Sequence, residues 1–182
     1  MHVVIVYESM YGNTHLVANA IATGFKPGAD VTVVPVSEAA PGLLGGADLL
    51  VVGGPTHAHG MSRPETRKGA ADAASKPDSG LTLDPDALGP GLRDWFETLG
   101  QHQLMAAAFD TRVTGPAALT GRASKGISKE LRRHGFGLAA EPESFLVTKD
   151  NHLEANEEAR ARAWGDRLAA GVAEGRQQSG KP

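Results

Sequence analysis

No cysteine occurs in the 182 residues, which excludes disulfides and every zinc or iron–sulfur centre built on thiolates. Strong charge of either sign is also missing. A formal net charge of −3 and a pI near 6.1 exclude sequence-independent binding to nucleic acid through a globally basic surface. No apolar run is long enough to cross a bilayer, and no basic segment followed by an apolar stretch and a small-residue cleavage site precedes the first strand. A cytoplasmic protein without membrane insertion is the expectation. The three spaced glycines of a dinucleotide fingerprint are absent, as is the Gly-Lys-Ser/Thr ending of a nucleotide P-loop. No nucleophile, triad or catalytic carboxylate pair stands out, so no catalytic residue is assigned.

The chain does carry a strand, a short loop and a helix between His2 and Phe25. Val3, Val4, Ile5 and Val6 form a continuous apolar run ending at Tyr7, as a parallel strand buried on both faces requires. After the loop, Leu16, Val17, Ala20 and Ile21 recur at helical spacing. The N–H groups of a helix's first turn lack intrahelical acceptors and sit at the positive end of its dipole, so this order of elements can hold an anion. Ser9 and Thr14 offer hydroxyl donors, and Gly12 permits close backbone approach. No lysine or arginine falls within residues 9–14, so neutral donors are expected to bind. The plain alternative is a strand-to-helix turn in which Ser9 or Asn13 caps the helix.

Ser9-Met10-Tyr11-Gly12-Asn13-Thr14 resembles the flavodoxin phosphate loop, commonly Thr/Ser-x-Thr-Gly-x-Thr, which wraps the terminal phosphate of FMN. Ser9, Gly12 and Thr14 match. Tyr11 departs from the pattern, replacing a small hydroxyl with a phenol.

The rest of the chain alternates in the same manner. Strands are expected over residues 31–36, 47–52 and 104–109, the second ending at Gly53-Gly54-Pro55. Between the first two, Leu43-Leu44-Gly45-Gly46 suits no more than a short helical turn. Leu92, Trp95, Phe96 and Leu99 share one helix face, and a second helix covers residues 123–133, with Gly135 placed to end it. The last strand reads as divided, 136–139 and 145–148, because Pro142 interrupts it. A final helix starts near Glu154 or Ala155 and presents Trp164, Leu168 and Val172. Strands alternating with helical crossovers predict a doubly wound α/β sheet, in flavodoxin-like order 2-1-3-4-5. Residues 1–174 form one domain, interrupted by an insertion or lid at 62–91 and followed by a polar C-terminal tail at 175–182. Arg63, Arg67 and Lys68 in the insertion can meet an acidic substrate or simply face solvent. Lys125, Lys129, Arg132 and Arg133 interleave with Ile127 and Leu131, as a solvated helix face does.

Ligands of such sheets sit beyond the C-terminal strand ends, where the strand order reverses. Three loops converge there: Ser9 to Thr14; Pro55-Thr56-His57-Ala58-His59-Gly60-Met61; and Asp110-Thr111-Arg112. The resemblance implies that these residues hold the FMN phosphate and enclose its isoalloxazine ring. His57, His59 or Met61 can supply a wall, since the later two loops lack tryptophan and tyrosine. Asp110 and Arg112 can pair, or Arg112 can stabilise negative charge on the reduced flavin. His57-x-His59 alone is too little for a metal site, and no metal is assigned.

The resemblance implies an FMN-binding redox protein transferring electrons to a redox partner protein or small-molecule acceptor, with NAD(P)H a candidate donor. An NAD(P)H-dependent quinone or small-acceptor reductase is the enzymatic alternative. A non-redox binding module that has lost FMN is the third reading.

Overall fold

The computed structural model describes residues 1–25 and 27–179. Among the described residues seven strands are present: β1 (His2–Tyr7), β2 (Asp30–Pro35), β3 (Leu49–His57), β4 (Gly60–Met61), β5 (Met105–Val113), β6 (Gly137–Leu138) and β7 (Glu143–Val147). The helices are α1 (Asn13–Gly24), α2 (Pro64–Ala74), α3 (Leu92–Thr98), α4 (Ala117–Thr120), α5 (Ala123–Arg133) and α6 (Glu157–Ser179). Two 3-10 turns, Val36–Glu38 and Pro41–Leu44, serve in the crossover from β2 to β3.

The main sheet is parallel, with β1 between β2 and β3, and β5 beyond β3. Its last position is shared. β6 pairs with the start of β5 and β7 with the end, both in parallel. This is the divided fifth strand expected from Pro142, and with it the order is the expected 2-1-3-4-5. The short β4 is an antiparallel addition to the end of β3.

Alternation along each strand sends side chains to two helical layers. Val4, Val6, Leu50, Val52, Ala106 and Ala108 pack with Leu92, Trp95 and Phe96 of α3 and with Ile127 and Leu131 of α5. Val3, Ile5, Leu49, Val51, Ala107 and Phe109 pack with Val17 and Ile21 of α1 and with Trp164, Leu168 and Val172 of α6. Phe109, Phe145 and Trp164 meet edge-on, with ring centroids 6.1 to 6.3 Å apart. Each such buried large side chain contributes roughly 1.5–3 kcal/mol through burial. The register is continuous across the sheet, with Val6 opposite Val52 and Val52 opposite Ala108, so the ends of β1, β3 and β5 lie level.

Several boundaries differ from the sequence expectation. β3 and β5 each run past their apolar cores, so Pro55, Thr56 and His57, and likewise Asp110, Thr111 and Arg112, are strand residues rather than loop. The physical reason is pairing: β4 extends β3 by two residue pairs, and β7 keeps β5 in register as far as Val113. Leu16, expected on the apolar face of α1, is half exposed. α6 begins at Glu157 and runs on to Ser179, through much of the expected tail, whose residues 180–182 lie outside the described residues. The basic side chains of α5 are exposed and Ile127 and Leu131 buried, as its periodicity requires.

Residues 62–91 form α2 and a connection closely tied to the rest of the molecule. Buried Arg67 donates to Ser62 Oγ and pairs with Asp94 at 3.1 Å. Glu8, itself buried, accepts from Ser62 Oγ and from the Leu92 N–H. Arg67 is therefore engaged internally and does not reach for an acidic substrate.

Candidate functional site

The first loop leaves β1 at Glu8, whose N–H donates to Gly53 O at 2.9 Å, and enters α1 at Asn13. Gly12 is the residue before the helix and takes a left-handed φ of 88°, a conformation open to glycine at little cost. Neither expected capping side chain caps the helix. Ser9 Oγ accepts from the Gly12 N–H at 3.1 Å, folding the loop on itself, while the Asn13 amide donates to Asn151. No side chain caps α1 and no acidic residue occupies its first turn. Its N-terminus thus presents N–H donors and partial positive charge, with the buried Asp84 carboxylate of the insertion paired to His15 of the first turn at 3.3 Å.

That N-terminus opens into a cavity of about 320 Å³ at the C-terminal edge of the sheet. The strand order reverses at this edge, where β1 has β2 on one side and β3 on the other. Of the residues expected in the site, Met10, Tyr11, Asn13, Thr14, Pro55, Thr56, His57, Thr111 and Arg112 line the cavity. Ser9 and Gly12 shape the loop from behind. Ala58, His59 and Gly60 form the hairpin turn between β3 and β4 and do not line the cavity. Asp110 does not reach it either. That carboxylate is fully buried and accepts from the Ser124 N–H at 2.7 Å, while burial raises its pKa above the ordinary carboxylate value.

Thr14 Oγ1 and Thr111 Oγ1 lie 2.8 Å apart in a buried hydrogen bond that joins the first loop to β5. Thr56 Oγ1 accepts from the Ala123 N–H at 2.9 Å, which fixes the start of α5 beside β3 and leaves the Thr56 hydroxyl hydrogen free to donate. His57 forms part of the wall, and burial lowers its pKa from the ordinary histidine value. Arg112 donates through one terminal nitrogen to Gly115 O at 2.8 Å and Thr120 Oγ1 at 3.0 Å. It makes no ion pair with Asp110, which corrects one of the two roles expected for it. Arg112 lines the cavity, and its Nε is buried without a hydrogen-bond partner.

The hairpin turn carries positive φ at two residues that are not glycine, Ala58 at 44° and His59 at 72°. Gly121 packs against it so closely that a Cβ there would lie 2.1 Å from His59 Cα. Strain at the turn is thus held in place by the loop that also anchors Arg112. Among the described residues, no group of three or more histidine, aspartate or glutamate side chains can hold a metal ion.

Sequence reasoning missed several contributors, Val113 and Thr120 on and after β5 among them. Leu81 brings the insertion into the cavity wall, and its connection to the first loop is direct: the Asp84 N–H donates to Met10 O at 2.8 Å and Tyr11 Oη donates to Ala70 O at 2.8 Å. The segment after β7 supplies Thr148, Lys149 and Asn151. The available signal for it was its position after the last strand, at the edge where ligands of such sheets sit.

A doubly wound parallel sheet with an uncapped helix N-terminus and a polar cavity at its switch point is an α/β architecture whose ligand crevice lies at that edge. Residues 5–88 match the family model described as flavodoxin, and the fold is flavodoxin-like. Among solved structures it is similar to a flavodoxin from the domain Archaea, at 20% identity and TM-score 0.63 over 95% of this chain and 99% of that one. It is also similar to flavodoxin 1 from Bacillus cereus, at 17% identity and TM-score 0.63 over 93% and 98% of the two chains. A third similar structure is a flavodoxin, WrbA-like protein from Agrobacterium tumefaciens, at 23% identity and TM-score 0.59 over 95% and 98%. No curated protein matches the sequence. Among the described residues, no helix is long and apolar enough to cross a membrane.

Proposed function

We propose that this chain binds FMN and transfers electrons through it. The observation that carries the reading is the cavity: it joins the uncapped N-terminus of α1 to the ends of β3 and β5, and the cation Arg112 lines it. The donor set fits a flavin mononucleotide. The α1 N–H groups and Thr14 suit the phosphate, Thr56 suits the phosphate or ribityl chain, and Arg112 beside the hairpin suits a part of the ligand that gains negative charge. Bound flavin supplies the redox chemistry, while the protein sets binding, orientation and electrostatics.

Arg112 is the residue through which this chain tunes the cofactor. A cation beside the reduced, more negative form stabilises that form and raises the potential. Arg112→Ala is expected to lower the two-electron potential by about 30 mV if about 1.4 kcal/mol of that stabilisation is lost. An unchanged potential in a folded, FMN-loaded variant rejects this role. The reading itself is tested by purifying the protein without added cofactor and identifying released flavin by mass. FMN supports it.

A second reading is favoured by one feature of the wall. Among the described residues, Tyr11 is the one tyrosine or tryptophan lining the cavity, so the ends of β3 and β5 bring no large aromatic against a ring. An uncovered ring admits a small acceptor, which suits an NAD(P)H-dependent quinone or small-acceptor reductase. Steady NAD(P)H oxidation by the purified holoprotein with a quinone supports that activity, and its absence supports a carrier that depends on a separate reductase.

A further inference from the structure

We infer that Lys149 supplies the counter-charge for the ligand's phosphate and so lets this site discriminate phosphorylated from unphosphorylated flavin by charge; the inference rests on the FMN reading above. The phosphate loop contains no cation, and the segment that remedies this lies 138 residues away from it in sequence. The Asn13 amide donates to Asn151 O at 2.9 Å and approaches Asn151 Oδ1 at 3.1 Å, which ties the segment after β7 to the first turn of α1. That segment is a tight turn: the Thr148 N–H donates to His152 O at 2.7 Å, the Asn151 N–H to Thr148 O at 3.1 Å, and the His152 N–H to Thr148 Oγ1 at 3.1 Å.

Lys149 sits in this turn and lines the same cavity as Asn13 and Thr14. Among the described residues its side chain makes no ion pair. Asp150, its exposed neighbour, does not line the cavity. A lysine without an ion pair, on a braced turn, thereby lines the same cavity as the uncapped helix N-terminus. Arg112, the other cation of the cavity wall, is anchored to Gly115 and Thr120 on the hairpin side, which leaves the phosphate end to Lys149. Two sources of positive potential then act on one dianion, the helix dipole and a mobile point charge.

The experiment is a pair of titrations, FMN and riboflavin, on the apo wild type, Lys149→Gln and Lys149→Arg, at low ionic strength and at about 0.5 M salt, where the screening length falls to a few ångströms. Because Lys149 is exposed, Lys149→Gln is expected to weaken FMN binding by about fivefold at low salt, the upper range for an exposed ion pair. Riboflavin affinity stays unchanged, Lys149→Arg retains most of the FMN affinity, and the difference between wild type and Lys149→Gln shrinks at high salt. Unchanged FMN binding in Lys149→Gln, or equal losses for FMN and riboflavin, overturns the role of Lys149 while leaving FMN binding in place. Wild-type protein that binds FMN no better than riboflavin overturns the phosphate site and this inference together.

Discussion

The hydroxyl of Tyr11 leaves the first loop and donates to Ala70 O in α2, so the residue that departs from the flavodoxin pattern uses its polar group to hold the insertion. Tyr11→Phe keeps the ring and removes that bond, at a cost of about 1 kcal/mol to the docking of α2. Faster hydrogen exchange or proteolysis confined to residues 64–91 is the expected result, with the sheet unaffected; uniform protection means the bond does not hold the insertion. The substitution itself was legible from the motif, whereas its partner, 59 residues along, was not. His57 gives a second residue-level prediction. Burial lowers its folded pKa below the unfolded value of about 6.5, so as pH falls through that value the unfolded chain takes up a proton first and stability is lost. Replacing it with a side chain that does not titrate, His57→Gln, is expected to reduce the fall in Tm between about pH 7.5 and pH 5.5, the interval spanning that unfolded pKa. Parallel Tm profiles for the two proteins contradict a lowered His57 pKa.

Helices α1 and α6 cross at two glycines. A Cβ on Gly165 would lie 2.2 Å from Ile21 O, and one on Gly24 would lie 2.1 Å from Arg162 O, both backbone atoms that cannot turn aside. Gly165→Ala is therefore expected to destabilise by about 3 kcal/mol through overpacking, whereas Gly171→Ala in the same helix has open space and should gain up to about 1 kcal/mol from helix propensity. Urea midpoints of the two variants on opposite sides of wild type are the expected result; a midpoint for Gly165→Ala at or above wild type means the helices do not meet there. The apolar periods of Val17 and Ile21, and of Trp164, Leu168 and Val172, made both helices legible. Glycines mid-helix gave no sign of the contact between them. The same limit explains the strands. Apolar runs marked their centres, but the extension of β3 to His57 depends on a hairpin whose turn, Ala58-His59, lacks the glycine or asparagine that advertises one.

Taken as one molecule, the chain gathers its cavity from the first loop, the ends of β3 and β5, the insertion and the turn after β7. Topology alone brings the first three together, because a parallel sheet reversing its order at β1 leaves a crevice at the level ends of β1, β3 and β5. Those were legible through Ser9, Gly12 and Thr14 and the breakers after the third strand. The remaining two were not, since Leu81 and Lys149 lie in polar connections whose course is set by hydrogen bonds to Met10 and Asn13. All five segments have one proposed purpose, holding a phosphorylated flavin. The most direct measurement is therefore the affinity of the apo protein for FMN against riboflavin, followed by flavin fluorescence. FMN binding at least tenfold tighter, a difference of about 1.4 kcal/mol, is the predicted result. Equal affinity, or no binding of either, contradicts it and leaves a flavodoxin-like fold put to another use.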